Sequence, residues 1–266
     1  MDYLSHEELQ DELFRLLCAF DDFVSELGLR YTLTAGTLLG AVRHQGFIPW
    51  DDDVDVAMPR PDYERLCEAR GEVAEGLAIR GPLDGSLPYP FLKFCNLSIR
   101  CEEECAAGAY DEYLWIDVFP LDGIPVDRIE AKRQIERVQG LRKAAGRKLL
   151  PASPSMLKRV LKIPYQALAR IVFPCENDYK AIDNIARSCS FDSSEYCRDV
   201  VWTPYRSTLF STKDFANLSR LAFCGRSFPV VSHWDDALLS MYGDYMRIPS
   251  EDERATHSVK AWRQVL

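Results

Sequence analysis

GTLLGAVRHQGFIPWDDDVDVAM, residues 36–58, ends in four aspartates within five positions: Asp51, Asp52, Asp53 and Asp55. Val54 and Val56 alternate with the last two acids. A strand turns successive side chains to opposite faces, so this pattern predicts a strand over 53–58. Asp53 and Asp55 then point one way, and the two valines bury on the other. Two carboxylates on one face repel unless a cation sits between them. A hard divalent ion, Mg2+ or Mn2+, held through carboxylates and substrate phosphates, resolves that conflict. The bland alternatives are a solvated calcium-like loop or a helix cap. Asp51 and Asp52 then either touch the same ion or orient the strand that carries it.

Outward from this run, the 266 residues are enough to bury a sizeable core, and 47% hydrophobic with 27% charged residues is an ordinary globular composition. No apolar run is long enough to span a membrane and the first residues are acidic, so the expected address is the cytoplasm. The nine cysteines are an odd number, and Cys101 and Cys105 flank three glutamates without a nearby histidine. They are expected as reduced, core-filling thiols rather than disulfides or zinc ligands. A net charge of −9 argues against a nucleic-acid binder. Residues 128–170 nevertheless hold twelve Lys or Arg and two Glu, leaving −19 for the remainder.

Ser5 and Glu8 read as a capping box opening a helix to about residue 26. Strands are predicted over 30–34, 53–58, 77–80, 92–101 and 113–118, with a turn entering a helix over 36–42. Further helices are predicted over 61–76, 127–150, 153–173, 177–190 and 233–242, and a strand pair over 220–231. The fold class is α+β: a mixed sheet flanked by helices. The expected division is a catalytic core over 1–126, a helical basic insertion over 127–197, and a C-terminal part over 198–266 that completes the catalytic domain.

The chemistry converges on few residues. Gly36 admits a phosphate close to the backbone, and Thr37 offers a hydroxyl and an N–H at a helix start. Asp117 is a lone acid between Ile116 and Val118, and it is the candidate third metal ligand; a turn role is the alternative, better suited to Asp122. Arg43 and His44 are candidates to neutralise a diphosphate, against a surface ion pair or an ordinary hydrogen-bonded histidine. Lys93 alternates with apolar residues and is a candidate for the cleft. Trp50 reads as core, with stacking on a base or a quaternary ammonium as its functional alternative.

Three segments carry a resemblance: GTLLGAVRHQGFIPWDDDVDVAMPRPDYERL, YLWIDVFPLDGIP and YGDYMRIPSEDERATH. Together they resemble the LicD family, within the nucleotidyltransferase-fold superfamily. The segment from about 128 to 223 matches no motif of it. The resemblance implies a nucleotidyltransferase-like fold and transfer of a phosphorylated alcohol, typically phosphocholine, from a CDP-linked donor to a glycan hydroxyl; related animal proteins use CDP-ribitol. It implies that Gly36-Thr37 is the superfamily's Gly-[Gly/Ser] element, that Asp53 and Asp55 are its metal pair, and that Asp117 is its third carboxylate. It also matches His257 to a histidine of the closing motif. Competing readings are nucleotidyl transfer with release of pyrophosphate, and a silent nucleotide- or glycan-binding protein. The basic stretch 128–170 reads as a solvated helical subdomain, or as a surface that meets an anionic inner membrane and a lipid-linked acceptor.

Overall fold

The first helix is set by its opening residues. Ser5 Oγ accepts the Glu8 N–H at 3.2 Å and Glu8 Oε2 accepts the Ser5 N–H at 2.8 Å, so α1 runs His6–Glu26 as predicted. It ends where Gly28 turns to a φ of 62°, with its N–H given to the Ser25 carbonyl. The stripe Leu9, Leu13, Leu16, Leu17 and Phe20 is buried.

The computed structural model describes residues 2–81, 89–102, 112–149, 175–202, 208–254 and 259–264. After α1 come β1 (Thr32–Leu33), α2 (Ala35–His44), β2 (Asp55–Pro59), α3 (Arg60–Glu68), β3 (Gly71–Ala74), β4 (Leu77–Arg80), β5 (Leu92–Glu102) and β6 (Tyr113–Gly123). The later elements are α4 (Arg128–Leu149), α5 (Cys175–Ala186), β7 (Tyr196–Asp199), β8 (Phe210–Ser211), the hairpin β9 (Ser219–Phe223) and β10 (Arg226–Val230), α6 (Trp234–Tyr242) and β11 (Lys260–Arg263). The helix expected over 153–173 lies outside the described residues.

Among the described residues, nine strands form one mixed sheet, in the order β1-β2-β6-β5-β4-β3, with β7 added to β6, β8 to β7 and β11 to β5. The chain is α+β, as its sequence predicts. β2 and β6 run parallel, and the other strand pairs are antiparallel. One face packs on α1, where Phe20 meets Tyr31 edge-on at 5.2 Å and Phe94 edge-on at 5.4 Å between ring centres. On the other face Ala57, Phe119 and Leu121 join Val138 of α4 and Ile182 of α5 in a second core cluster.

Two elements depart from expectation. The helix predicted over 61–76 stops at Glu68, because Gly71 takes a φ of 109° and the chain reverses into β3, which pairs with β4. Asp122, read as a turn former, lies inside β6 with no exposed surface. It receives Arg60 through two bonds of 2.6 and 2.7 Å, and Arg60 also reaches Asp183 at 2.9 Å. A buried carboxylate is tolerated because that guanidinium fork satisfies it. The boundary expected at residue 197 falls within β7. On α4, Ala131, Ile135, Val138 and Ala145 are buried, so its apolar side is already covered by the protein. No helix among the described residues is long and apolar enough to cross a membrane.

Candidate active site

A cleft of about 240 Å3 opens on the sheet face opposite α1. Register explains its lining. Asp55 stands beside Asp117 in the parallel pairing of β2 with β6, Ala57 beside Phe119, and Pro59 beside Leu121. Leu121 in turn stands beside Asp199 of β7. Side chains two apart share a face, so the acids, then Phe119, then Leu121 and Asp199 follow one another along the cleft floor. Asp53, in the loop before β2, Thr34 and Ala35, Trp202, Thr208, Phe210 and Met241 close its sides.

Asp53 precedes the strand rather than lying in it, but it reaches the same cleft as Asp55 and Asp117. Burial pushes the Asp55 carboxyl well above the usual carboxylate range, and repulsion from Asp53, Asp117, Asp51 and Asp199 adds to it. An all-oxygen donor set under mutual repulsion fits a hard divalent cation. Among the described residues, no three His, Cys, Asp or Glu side chains are gathered so as to hold a metal ion by themselves.

The α2 N-terminus supplies the opposite charge. Thr34, its cap residue, makes no side-chain capping bond, and both Thr34 and Ala35 line the cleft. The first N–H groups of a helix lack intrahelical partners and carry the positive end of its dipole, a setting for phosphate. Ala35 enters with a φ of 46°, a left-handed conformation that costs a non-glycine residue about 1–2 kcal/mol.

Thr37 is buried, and its hydroxyl oxygen accepts the Asp55 N–H at 2.8 Å, so it fixes the strand that carries the acid. A side chain on Gly36 would begin 2.6 Å from Asp51 Oδ2. Gly36 thus makes room for the Asp51 carboxylate. Asp52 is buried, and its Oδ2 accepts the Val259 N–H at 3.0 Å, tying the C-terminal segment to the acidic loop.

Lys93 stands beside Asp117 in register, 3% exposed, with its ammonium 3.8 Å from Asp117 Oδ1. It lies 3.6 Å from the ring centre of Trp115 and 4.2 Å from that of Tyr89. Held this way, it is a fixed counter-charge to Asp117. Arg43 and His44 sit at the far end of α2. Arg43 donates to the His44 ring at 2.9 Å and to the carbonyls of Tyr245 at 2.9 Å and Arg247 at 3.3 Å. That binds the segment after α6. Trp50 packs on the core and is covered by Arg254, 4.2 Å from its ring centre. His257 lies outside the described residues.

Asp199 and Trp202 escaped the sequence reading. The Trp202 N–H donates to Asp199 Oδ1 at 2.9 Å, and Arg142 of α4 lies 3.7 Å from the Trp202 ring centre. Asp199 in YCRDVVW is a lone acid beside valines, the same signal that exposed Asp117.

Residues 28–81, which hold α2, the acidic loop and β2, match the family described as LicD/FKTN/FKRP, nucleotidyltransferase domain. Over this stretch the chain is similar to the LicD family. Over 98% of its length, and 98% of the relative's, it is 24% identical to the lipopolysaccharide cholinephosphotransferase LicD of Haemophilus influenzae. It is also 47% identical over 47 residues to the human ribitol 5-phosphate transferase FKRP, a match to 18% of this chain and 10% of that protein. The LicD-type match covers the first acids and the α2 N-terminus. Asp117 and Asp199 come from sequence beyond it.

Proposed function

We propose that this chain transfers a phosphorylated alcohol, phosphocholine, from a CDP-linked donor to a hydroxyl of a cell-surface glycan precursor, using Mg2+ or Mn2+. The observation that carries the reading is the side-by-side placement of Asp55 and Asp117 in one cleft with the open N-terminus of α2. The names of the two relatives, a cholinephosphotransferase and a ribitol 5-phosphate transferase, support the same reaction class.

In this reading Asp53, Asp55 and Asp117 hold the ion, which when bound neutralises the diphosphate and the leaving oxygen. The α2 N–H groups orient the diphosphate. The acceptor hydroxyl oxygen forms a bond to the β-phosphorus, the bond from that phosphorus to the CMP oxygen breaks, and the hydroxyl proton passes to a carboxylate, for which Asp117 is placed. Lys93 keeps Asp117 in one orientation. The exposed cations Arg128, Lys132, Arg133 and Arg137 of α4 are suited to an anionic inner membrane surface through charge alone.

The test is CMP release from CDP-choline, CDP-ribitol, CDP-glycerol and CDP-ethanolamine, with a glycan acceptor, with and without EDTA. Metal-dependent CMP release is the expected result. Release of pyrophosphate from a nucleoside triphosphate instead would make the chain a nucleotidyltransferase. Nucleotide binding with no turnover would make it a silent binder.

A further inference from the structure

The segment that carries the acids is held by the first helix. Ile48-Pro49-Trp50-Asp51 is a turn: the Asp51 N–H donates to the Ile48 carbonyl at 2.9 Å, with Pro49 second, where a fixed φ is favoured. Gln10 of α1 donates its amide hydrogens to two carbonyls of this turn, Asp51 at 2.9 Å and Ile48 at 3.3 Å. His6, one turn earlier on the same helix face, reaches a third, Pro49, from Nε2 at 2.9 Å. A carbonyl only accepts, so the His6 proton sits on Nε2. The Gln10 nitrogen, 3.1 Å from that ring nitrogen, then donates to the turn and not to the ring. The C-terminal segment adds the Val259 N–H on Asp52 Oδ2, and it meets the start of the chain where the Leu4 N–H donates to the Ala261 carbonyl at 2.8 Å.

We propose that Gln10, with His6 beside it, is a positioning residue of the acid row: it holds the 48–51 turn and so sets where Asp51 and Asp53 stand for a divalent cation. The assignment rests on the metal-dependent reading above. Four carboxylates within five positions repel one another, so the segment that carries them tends to spread. The tolerance is small, because Asp51 Oδ2 stands 2.6 Å from where a Gly36 side chain would begin. Neutral donors suit the task. A lysine in place of Gln10 would bind the same carbonyls but compete with the cation for the acids. The bonds of Gln10 go to backbone carbonyls, so it acts on the acids through the chain that bears them, as the outer partners of metal ligands do.

Gln10→Met tests the assignment, since it keeps the side-chain length and removes both donors. Ser5→Ala is the control: it loosens the same helix at its cap without reaching the turn. For each variant Mn2+ binding is measured from the loss of the free-ion EPR signal, with the melting temperature alongside. The expected result is Mn2+ binding weakened by about 10- to 100-fold in Gln10→Met and unchanged in Ser5→Ala, even where Ser5→Ala melts lower. Unchanged Mn2+ binding in Gln10→Met overturns the assignment. So does an equal loss in Ser5→Ala, which would reduce the effect to helix stability. If the wild type binds no Mn2+, the metal reading fails, and amide hydrogen exchange at Asp51 and Asp55, whose N–H groups are bonded to Ile48 and Thr37, decides whether Gln10 holds the turn. Faster exchange in Gln10→Met than in Ser5→Ala supports that role, and equal exchange overturns it.

Discussion

The Asp51 carboxylate occupies the place where a side chain on Gly36 would begin, 2.6 Å from the ideal Cβ position. Gly40, one turn later on α2, faces the Gly46 carbonyl at 2.4 Å from its own ideal Cβ. The two contacts predict different outcomes. A methyl at Gly36 displaces the end of a side chain, so Gly36→Ala keeps a near-normal melting temperature and lowers turnover by disturbing the acidic loop. A methyl at Gly40 meets backbone, so Gly40→Ala destabilises by about 1–3 kcal/mol, as overpacking does. Thermal melts and CMP release on both variants check this.

Replacing Asp55 or Asp117 by Asn removes a donor from the acid row while preserving shape. Turnover is expected to fall by at least ~100-fold, the scale of a lost metal-borne stabilisation. For Asp55→Asn stability is expected to hold or rise, since burial and mutual repulsion already push the Asp55 carboxyl up; Asp117→Asn also takes the counter-charge from the buried Lys93 ammonium and is expected to lower the melting temperature. Near-normal activity with a normal melt in either variant would reject the assignment of that acid.

Arg60 and Asp122 form a buried pair whose value lies in its completeness. Arg60→Met strands a carboxylate with no exposed surface and is expected to cost about 3–5 kcal/mol. Adding Asp122→Leu should recover much of that loss. Urea denaturation of the two single variants and the double variant gives the coupling directly.

His233 at the start of α6 donates its Nδ1–H to Asp214 Oδ1 at 2.8 Å, and that hydrogen bond and charge raise its pKa. A raised histidine stabilises the fold below the unfolded value of about 6.5. That contribution is lost as pH rises through the folded value. His233→Gln should therefore lower the melting temperature at pH 5.5 and leave it unchanged at pH 9.

What could be read from the sequence is what local chemistry dictates. Ser5 and Glu8 announce α1 because both halves of the capping box lie within one turn. Asp55 and Asp117 stand out because an acid inside an apolar strand needs a reason. Asp199 gives the same signal, but the register that brings β7 beside Leu121 is set by contacts across the chain. The true work of Asp122 was hidden for a similar reason: Leu-Asp-Gly reads locally as a turn, and its partner, Arg60, comes from another element. Arg43 shows the limit of proximity in sequence. It shares α2 with Gly36 and Thr37 but lies in the last turn, where it donates to the His44 ring and to the carbonyls of Tyr245 and Arg247.

The bond from the Val259 N–H to Asp52 has a consequence in time. Its two partners are separated by 207 positions. At the pace of synthesis, about 5–20 residues per second, roughly 10–40 s pass between the appearance of one and the other. During that interval the acidic loop lacks this clasp, and β11 is not yet there to pair with β5.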